Sequence, residues 1–281
     1  MPLLVVVGSA FSLSSLTVLI VSVLSLKGGV GKTTVTLGLA GAAHARSLRT
    51  LVVDLDPQAN ATTALAPPDV AFTVSDVLAG GRTVSAVDAI TASGWGAGID
   101  VLAGEPAMAH RDRPVDGKGG EHRLRAALAG VEGYDVVVID SPPSLGTLSR
   151  SGLAASDLAL VVTEPTMFAL TGTHQALAAV DAVRKAFNLR LRPAGIVVNK
   201  TRLRSAEHRF RIDELIAAYR DLVLDPVLPE RSAIGRAQGA CVPIQRWPSP
   251  GAREVGRIFD MYLGHVLTTA RTAGSLTRGT R

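Results

Sequence analysis

The stretch Leu24–Thr34, "LSLKGGVGKTT", decides the fold, because a glycine-rich turn here separates an apolar run from a helix-forming segment. The apolar run Thr17–Leu24 predicts a buried strand, and the residues from Lys32 onward predict a helix. A strand, a glycine turn and a helix opening on Gly-Lys-Thr form the context in which backbone N–H groups cradle phosphates. The stretch therefore predicts a phosphate-binding loop. It holds two lysines, Lys27 and Lys32, where such a loop needs one.

The residues of this loop have separable expected roles. Backbone N–H groups would hold the phosphates, helped by the positive end of the helix dipole. Lys32 would contact the β- and γ-phosphates, and the Thr33 hydroxyl would ligate Mg2+. The strict motif would place glycine at position 26, where this chain has Leu26. The predicted nucleotide-binding residues of the loop are Lys27, Gly28, Gly29, Val30, Gly31, Lys32, Thr33 and Thr34.

Composition and patterning predict one large α/β domain. The chain has 281 residues, of which 47% are hydrophobic, enough for a sizeable core. Short β-branched runs alternate with longer Ala/Leu-rich segments, and strands such as "YDVVVID" are apolar throughout, which predicts a sheet covered on both faces. We therefore predict a P-loop NTPase fold: a mostly parallel twisted sheet with helices on both faces, in three layers. The predicted strands are Val18–Ser25, Thr50–Asp54, Ile99–Ala103, Asp135–Asp140, Leu158–Thr163, Pro193–Asn199 and Leu224–Leu228. The predicted helices are Lys32–Arg46, Ser75–Ala79, Glu121–Val131, Leu148–Ala155, Thr171–Phe187, Ala206–Tyr219 and Arg253–Ala270.

The two ends of the chain are expected to lie outside this domain, which we place at residues 17–270. No charged side chain occurs between Met1 and Leu26, so a membrane span is one interpretation of the N-terminus. Small and polar residues break the apolar run, however, and its second piece leads straight into the glycine loop. We expect residues 1–16 to be an extension: an extra strand, a loose segment or a product of an upstream start codon. Residues 271–281 predict a flexible basic tail.

Charge and cysteine content narrow the class of protein. The net charge is +5, and only five of the 29 basic residues are lysine. The arginine excess reflects either coding bias or a surface that meets phosphates, which arginine binds bidentately. Cys241 is the single cysteine, which excludes an intramolecular disulfide and fits a reducing, cytoplasmic compartment.

The loop resembles a specific family. "KGGVGKTT" is similar to the deviant Walker A motif of the ParA/MinD ATPases, and Lys27 falls at the place of that family's signature lysine. The resemblance implies that Lys27 crosses into the partner subunit of an ATP-bound dimer and contacts its phosphates. A cation supplied in trans would stabilise the charge that spreads over the γ-oxygens during phosphoryl transfer. The alternative for Lys27 is a solvated loop lysine.

Two further stretches carry carboxylates at predicted strand ends. "VVDLDPQANATTAL" resembles the family's "DxDPQxNAT" segment, which implies that Asp56 positions the attacking water and that Asp54 lies near the Mg2+ shell. "YDVVVIDSPPSLG" ends on Asp140, a Walker B position, where a carboxylate holds Mg2+ through water. Alone, Asp140 is equally well explained as a helix cap. The predicted catalytic residues are thus Lys27, Lys32 and Asp56, and the predicted metal residues are Thr33, Asp54 and Asp140.

The resemblance extends over residues 18 to about 265. It implies an adenine contact at Asn199, at the end of "GIVVNK", and backbone of Pro229 and Glu230 beside the base. The stretch from Ser156, "SDLALVVTEPTMFALTGTHQAL", resembles part of the family's dimer face. The "DPQxNAT" pattern that starts at Asp56 and the "DxPPSLG" pattern that starts at Asp140 point to the ParA branch of the family.

The resemblance implies a DNA-partitioning ATPase with a weak intrinsic rate, using ATP and Mg2+. ATP would drive a homodimer that binds DNA nonspecifically, and a ParB-type centromere-binding partner would stimulate hydrolysis and release it. The protein would be cytoplasmic and nucleoid-associated. Candidate DNA contacts are Arg231, Arg236, Arg246, Arg253 and Arg257, with a second cluster at Arg202, Arg204, Arg209 and Arg211. For any single arginine, a solvated helix face is an equally good explanation.

Other branches of the superfamily fit less well. A MinD-like membrane switch needs an amphipathic C-terminal helix, and "LTTARTAGSLTRGTR" has few large apolar residues, so we expect no stable membrane association. An iron–sulfur carrier needs paired cysteines, and a tyrosine kinase of this type needs a C-terminal tyrosine cluster. A further alternative is a cargo-positioning relative that moves something other than DNA.

Overall fold

The computed structural model describes residues 18–79, 84–112 and 120–278. They form a seven-stranded sheet in the order β3-β4-β2-β5-β1-β6-β7. Every neighbouring pair is parallel except β3 with β4. The strands are β1 (Leu19–Leu24), β2 (Thr50–Asp54), β3 (Ile90–Ala92), β4 (Ile99–Leu102), β5 (Val136–Asp140), β6 (Leu158–Thr163) and β7 (Arg192–Val198). The predicted, mostly parallel sheet is confirmed.

Helices follow most strands. They are α1 (Lys32–Ala45), α2 (Asn60–Leu65), α3 (Val74–Leu78), α4 (Ala86–Ala89), α5 (Arg123–Leu128), α6 (Thr147–Ala155), α7 (Ala169–Ala186), α8 (Ala206–Tyr219), α9 (Ser232–Gly239) and α10 (Pro250–Arg278). Short 3-10 turns occupy Pro106–Arg111, Gly120–His122, Arg220–Leu222 and Ile244–Arg246. No helix within the described residues has the length and apolar character needed to cross a bilayer.

The side chains of β1 alternate between two helical layers. Val21 and Val23 share a core with Val35 of α1 and Phe259 of α10. Leu24 lies in a separate core on the other face, with residues of α6 and α7. Burial of the strand on both faces explains why its sequence is apolar throughout. The predicted three-layer arrangement is confirmed.

Helices α1 and α10 pack closely because α1 carries a glycine at the crossing. A Cβ on Gly38 would overlap the ring of Phe259. Beyond the crossing, Arg46 donates to the Asp260 carboxylate at 2.6 Å and to the Asp260 carbonyl at 2.8 Å. These contacts fix the helix that follows the phosphate loop against the last helix of the chain.

The predicted strand Leu224–Leu228 is wrong. The Leu224 N–H donates to the Ile196 carbonyl and the Leu228 N–H to the Val198 carbonyl, each at 2.9 Å. Between them stands Pro226, which has no N–H to continue the ladder. The segment therefore runs beside β7 without forming a strand, and isolated bridges at Val223 and Pro229 flank it. The seventh strand is instead β3, a three-residue antiparallel edge that its sequence, "ITA", does not reveal.

Several boundaries also differ from the prediction. Helix α10 continues to Arg278, so the predicted flexible tail begins as helix. The predicted helix Glu121–Val131 is a 3-10 turn followed by the shorter α5. Helices α2, α4 and α9 were not predicted. The expected extension, residues 1–16, lies outside the described residues.

Candidate active site

The glycine-rich loop joins the last residue of β1 to Lys32, the first residue of α1. Gly29 and Gly31 have φ angles of +78° and +94°, in the left-handed region that favours glycine. A side chain on Gly31 would also overlap the amide nitrogen of Asn199. The first N–H groups of α1 have no intrahelical acceptor, so the loop and the helix start together form an anion-binding site.

The side chain of Lys32 is buried and faces two acidic residues. Burial lowers the pKa of Lys32, while the charges of Asp140 and Asp56 act in the opposite direction. A buried ammonium that is partly balanced by carboxylates provides a strong electrostatic attraction for phosphate oxygens. The contact of Lys32 with a phosphate stays a prediction.

Asp140 ends β5 and is fully buried. Its two carboxylate oxygens accept hydrogen bonds from the Thr33 hydroxyl at 2.7 Å and the Thr36 hydroxyl at 3.0 Å. Burial, followed by the charge of Asp54, raises the pKa of Asp140 to about 8. A carboxylate beside a threonine hydroxyl is an oxygen donor set that fits Mg2+. The sequence prediction missed Thr36, although it lies on the same helix face, one turn after Thr33.

Asp54 ends the neighbouring strand β2, in register with Asp140. One oxygen accepts hydrogen bonds from the N–H and the hydroxyl of Thr62, both at 2.8 Å, and the other accepts from the Asp56 N–H at 3.2 Å. Burial raises the pKa of Asp54 to about 6. These contacts show that Asp54 anchors the turn into α2. Its place in a metal shell stays a prediction.

Asp56 lies in that turn, nearly buried. Its carboxylate accepts from the Gln58 N–H at 3.0 Å, and its carbonyl accepts from the Ala59 N–H at 2.8 Å. Ala59, with φ of +50°, precedes α2. The turn thus presents Asp56 to Lys32, so two of the three predicted catalytic residues are brought together.

On the other side of the loop, residues after β7 hold the loop backbone. The Asn199 amide donates to the Val30 carbonyl at 2.7 Å, and the Lys200 ammonium donates to the Gly29 carbonyl at 2.6 Å. Pro229 bridges to Thr201, and the Glu230 N–H donates to the Thr201 carbonyl at 3.0 Å. The structure therefore brings Asn199, Pro229 and Glu230 close together, and their contact with the base stays a prediction. The loop-holding role of Lys200 was not predicted.

Lys27 lies apart from the buried site. Its ammonium is 3.7 Å from the Glu164 carboxylate, and its side chain is 53% exposed. Shortly after Glu164 in the chain, the two residues that precede α7, Met167 and Phe168, are 70% and 66% exposed. The two lysines of the loop therefore occupy different environments: Lys32 faces inward and Lys27 faces outward.

The five arginines predicted to contact DNA are all exposed, but they do not form one free cluster. Arg231 makes two hydrogen bonds to Glu254, at 2.8 and 3.0 Å. Arg246 donates to the Trp95 carbonyl and approaches His44, whose pKa is lowered by burial and by Arg246. The remaining three are Arg236 on α9 and Arg253 and Arg257 on α10.

Two of the four arginines in the second predicted cluster are ion-paired. Arg202 pairs with Glu230, and Arg211 pairs with Glu207 at 2.7 Å and with Glu214 at 2.9 Å. Ion-paired guanidinium groups attract phosphates less than unpaired ones do. This cluster is the weaker DNA candidate.

A strand, a left-handed glycine turn, a buried lysine and a strand-end aspartate beside a threonine hydroxyl define a P-loop nucleoside triphosphatase. A family model described as an AAA domain matches residues 18–192. The chain is 33% identical over 229 residues to the sporulation initiation inhibitor protein Soj of Bacillus subtilis, covering 80% of this chain and 89% of that protein. It is 32% identical over 242 residues to the chromosome-partitioning ATPase Soj of Thermus thermophilus, covering 85% and 93%. The chain belongs to the ParA (Soj) family of ATPases.

A solved structure supports the same fold with nucleotide bound. The cobyrinic acid a,c-diamide synthase from Mycobacterium smegmatis, with a bound ATP analogue and magnesium, has a TM-score of 0.74 and 29% identity to this chain. The similarity covers 89% of this chain and 96% of that one. A nucleotide and Mg2+ are therefore ligands that this fold accommodates, and the donor set of Thr33 and Asp140 fits them.

Proposed function

We propose that the protein is an ATP-dependent DNA-partitioning ATPase. Two copies, each loaded with ATP and Mg2+, associate through the face that bears Lys27, and the dimer binds DNA without sequence preference. A ParB-type partner stimulates hydrolysis and so releases the dimer. The observation that carries the proposal is the outward position of Lys27, on the same loop whose other lysine, Lys32, is buried beside Asp140 and Asp56.

Within one subunit, each residue has a distinct task. The loop N–H groups and Lys32 bind the phosphates. Thr33 and Asp140 would hold Mg2+, with Asp54 beside them, and the metal supplies neutralisation of phosphate charge when bound. Asp56 orients the water that attacks the γ-phosphate. Asn199, with backbone of Pro229 and Glu230, flanks the base.

The association face is supported by exposed apolar side chains that closely follow the ion-pair partner of Lys27 in the chain. Met167 and Phe168 follow Glu164, the ion-pair partner of Lys27, by only a few residues. Contiguous exposed apolar side chains mark interaction surfaces on soluble proteins. A second copy placed here would bury both residues and bring Lys27 against the partner's nucleotide.

The DNA surface is assigned to exposed arginines late in the chain, on α9 and at the start of α10. Arg236, Arg253 and Arg257 are its strongest candidates, while Arg231 shares its charge with Glu254. Doubling such a surface in a dimer increases the number of phosphates contacted, so affinity for DNA depends on dimerisation and falls steeply with salt. The names of the Soj relatives, which include a chromosome-partitioning ATPase, support this assignment.

A gel shift on arbitrary DNA tests the proposal. Binding should require a non-hydrolysable ATP analogue with Mg2+, be absent with ADP, and weaken as salt rises. Lys27→Ala should keep nucleotide binding and lose DNA binding, whereas Lys185→Ala, which removes an exposed lysine of α7, should change neither. Binding that ignores the nucleotide contradicts the proposal. ATP-dependent sedimentation with anionic liposomes, in the absence of DNA binding, would favour the membrane-positioning alternative.

A further inference from the structure

Glu164, the residue that follows β6, joins two lysines that come from different parts of the chain. One carboxylate oxygen lies 3.7 Å from the Lys27 ammonium, and the other lies 2.6 Å from the Lys200 ammonium. The Glu164 side chain is only 17% exposed, compared with 53% for Lys27 and 46% for Lys200. A carboxylate so far removed from water depends on its cations more than a surface carboxylate does.

The two lysines are held to different degrees. The Lys200 ammonium also donates to the Gly29 carbonyl at 2.6 Å, so it is tied both to the carboxylate and to the loop backbone. Lys27 has the longer contact and the more exposed side chain. If Lys27 departs, Glu164 keeps Lys200 as a partner, and no buried charge is left unpaired. The arrangement therefore allows one lysine to leave at little cost while the other stays.

We propose that Glu164 is a positioning residue that holds Lys27 on its own subunit until a second nucleotide-loaded copy presents its phosphates. This inference rests on the proposed function, in which Lys27 serves the partner's nucleotide. The carboxylate and the partner's phosphates compete for the same ammonium. Glu164 therefore raises the protein concentration at which the ATP-bound dimer forms, and it opposes premature association.

Glu164→Gln tests this competition, because glutamine keeps the shape of the side chain and removes its charge. The dimerisation constant is measured by analytical ultracentrifugation with a non-hydrolysable ATP analogue and Mg2+. We expect the variant to dimerise about two- to fivefold more tightly, the range for a partly exposed ion pair. Asp181→Asn is the matched control, since Asp181 also pairs with two cations, Lys185 at 2.6 Å and Arg184 at 3.6 Å, on the surface of α7. The control should leave the constant unchanged.

A second measurement separates a hold on Lys27 from a general structural role. An amine-reactive reagent is applied to the nucleotide-free protein, and the rates of modification of Lys27 and Lys185 are each followed by mass spectrometry. Glu164→Gln should increase the rate at Lys27 and leave the rate at Lys185 unchanged, whereas Asp181→Asn, which frees Lys185 from its ion pair, should increase the rate at Lys185 and leave the rate at Lys27 unchanged. An unchanged rate at Lys27 overturns the proposal, as does an unchanged or weaker dimerisation constant in Glu164→Gln.

The two proposals fail in distinguishable ways. If the wild-type protein does not dimerise with the ATP analogue at any accessible concentration, the proposed function is refuted. The labelling experiment still decides in that case whether Glu164 holds Lys27. If the wild type dimerises but Glu164→Gln only lowers nucleotide affinity, Glu164 acts through Lys200 and the loop, and the inference about Lys27 is wrong.

Discussion

Replacing Asn199 by alanine tests which part of the nucleotide this residue serves. The sequence predicts a contact with the adenine base, but the structure shows the Asn199 amide donating to the Val30 carbonyl at 2.7 Å. The side chain is 2% exposed, and its amide nitrogen occupies the space that a Cβ on Gly31 would take. Asn199 therefore supports the conformation of the phosphate loop, whatever else it contacts.

The magnitude follows from the acceptor that Asn199→Ala would leave behind. A buried carbonyl without a donor costs about 1–3 kcal/mol. If this cost falls on the phosphate-binding conformation of the loop, nucleotide affinity drops about 5- to 150-fold. The loss should be the same for any ligand that is held by its phosphates.

Titration calorimetry with Mg2+ and three ligands, ATP, GTP and inorganic tripolyphosphate, measures this directly. A loop-supporting role predicts equal losses for all three, whereas a role confined to the base predicts a loss for ATP alone. Asn188→Ala is the control, because the Asn188 amide donates to the Ala154 and Ser156 carbonyls at 3.1 and 2.7 Å, away from the loop. That variant should lose stability without losing phosphate affinity. Unchanged tripolyphosphate binding in Asn199→Ala would falsify the reasoning.

Three further predictions concern the catalytic turn, the metal carboxylate and the helix crossing. Asp56→Ala should keep nucleotide binding and lose hydrolysis in an ADP-release assay, so turnover at the wild-type rate would rule out its assigned role. Burial, followed by the charge of Asp54, raises the pKa of Asp140 from 3.8 in the unfolded chain to about 8 in the metal-free folded state. Between these two pKa values only the folded state keeps the proton, so the free energy of unfolding falls as the pH rises through this range. In urea unfolding, the free energy of unfolding of Asp140→Asn relative to wild type should therefore rise by about 2 kcal/mol between pH 6 and pH 8. A difference that does not change with pH would contradict this assignment. Gly38→Ala should cost about 1–3 kcal/mol in the same assay through overlap with the ring of Phe259, and Phe259→Leu should relieve most of that loss.

The phosphate loop and the central strands were predictable because local physics specifies them. A strand buried on both faces is apolar throughout, and a turn with φ of +94° at Gly31 favours glycine. The carboxylate Asp140 was predictable because a charged residue directly after a buried strand lies at the sheet edge. The same rule applies to Glu164 after "LALVVT" and to Lys200 after "GIVVN", and it would have found both.

Other features depend on tertiary contacts that the amino-acid sequence does not reveal. The pairing of Glu164 with Lys200 follows from the register of β6 on β7, in which Thr163 stands opposite Val198. Thr62 meets Asp54 because the turn after β2 brings α2 back to the end of that strand. Local propensity likewise does not decide whether β3 forms an edge strand or whether Leu224–Leu228 forms a strand. Both outcomes depend on hydrogen bonding to the neighbouring strand.

The strand order explains why one loop can carry two lysines with different tasks. The loop after β1 leads to α1 on one face of the sheet, while the chain after β5 leads to α6 on the other, so the loop lies where the winding of the sheet reverses. Such a point opens a crevice at the carboxyl ends of the strands. Its β5 and β2 side carries Asp140 and Asp56, which act on Lys32. Its β6 and β7 side carries Glu164, which pairs with Lys27. The chemistry and the proposed subunit contact therefore occupy opposite sides of the same loop, and the few residues between the lysines connect them.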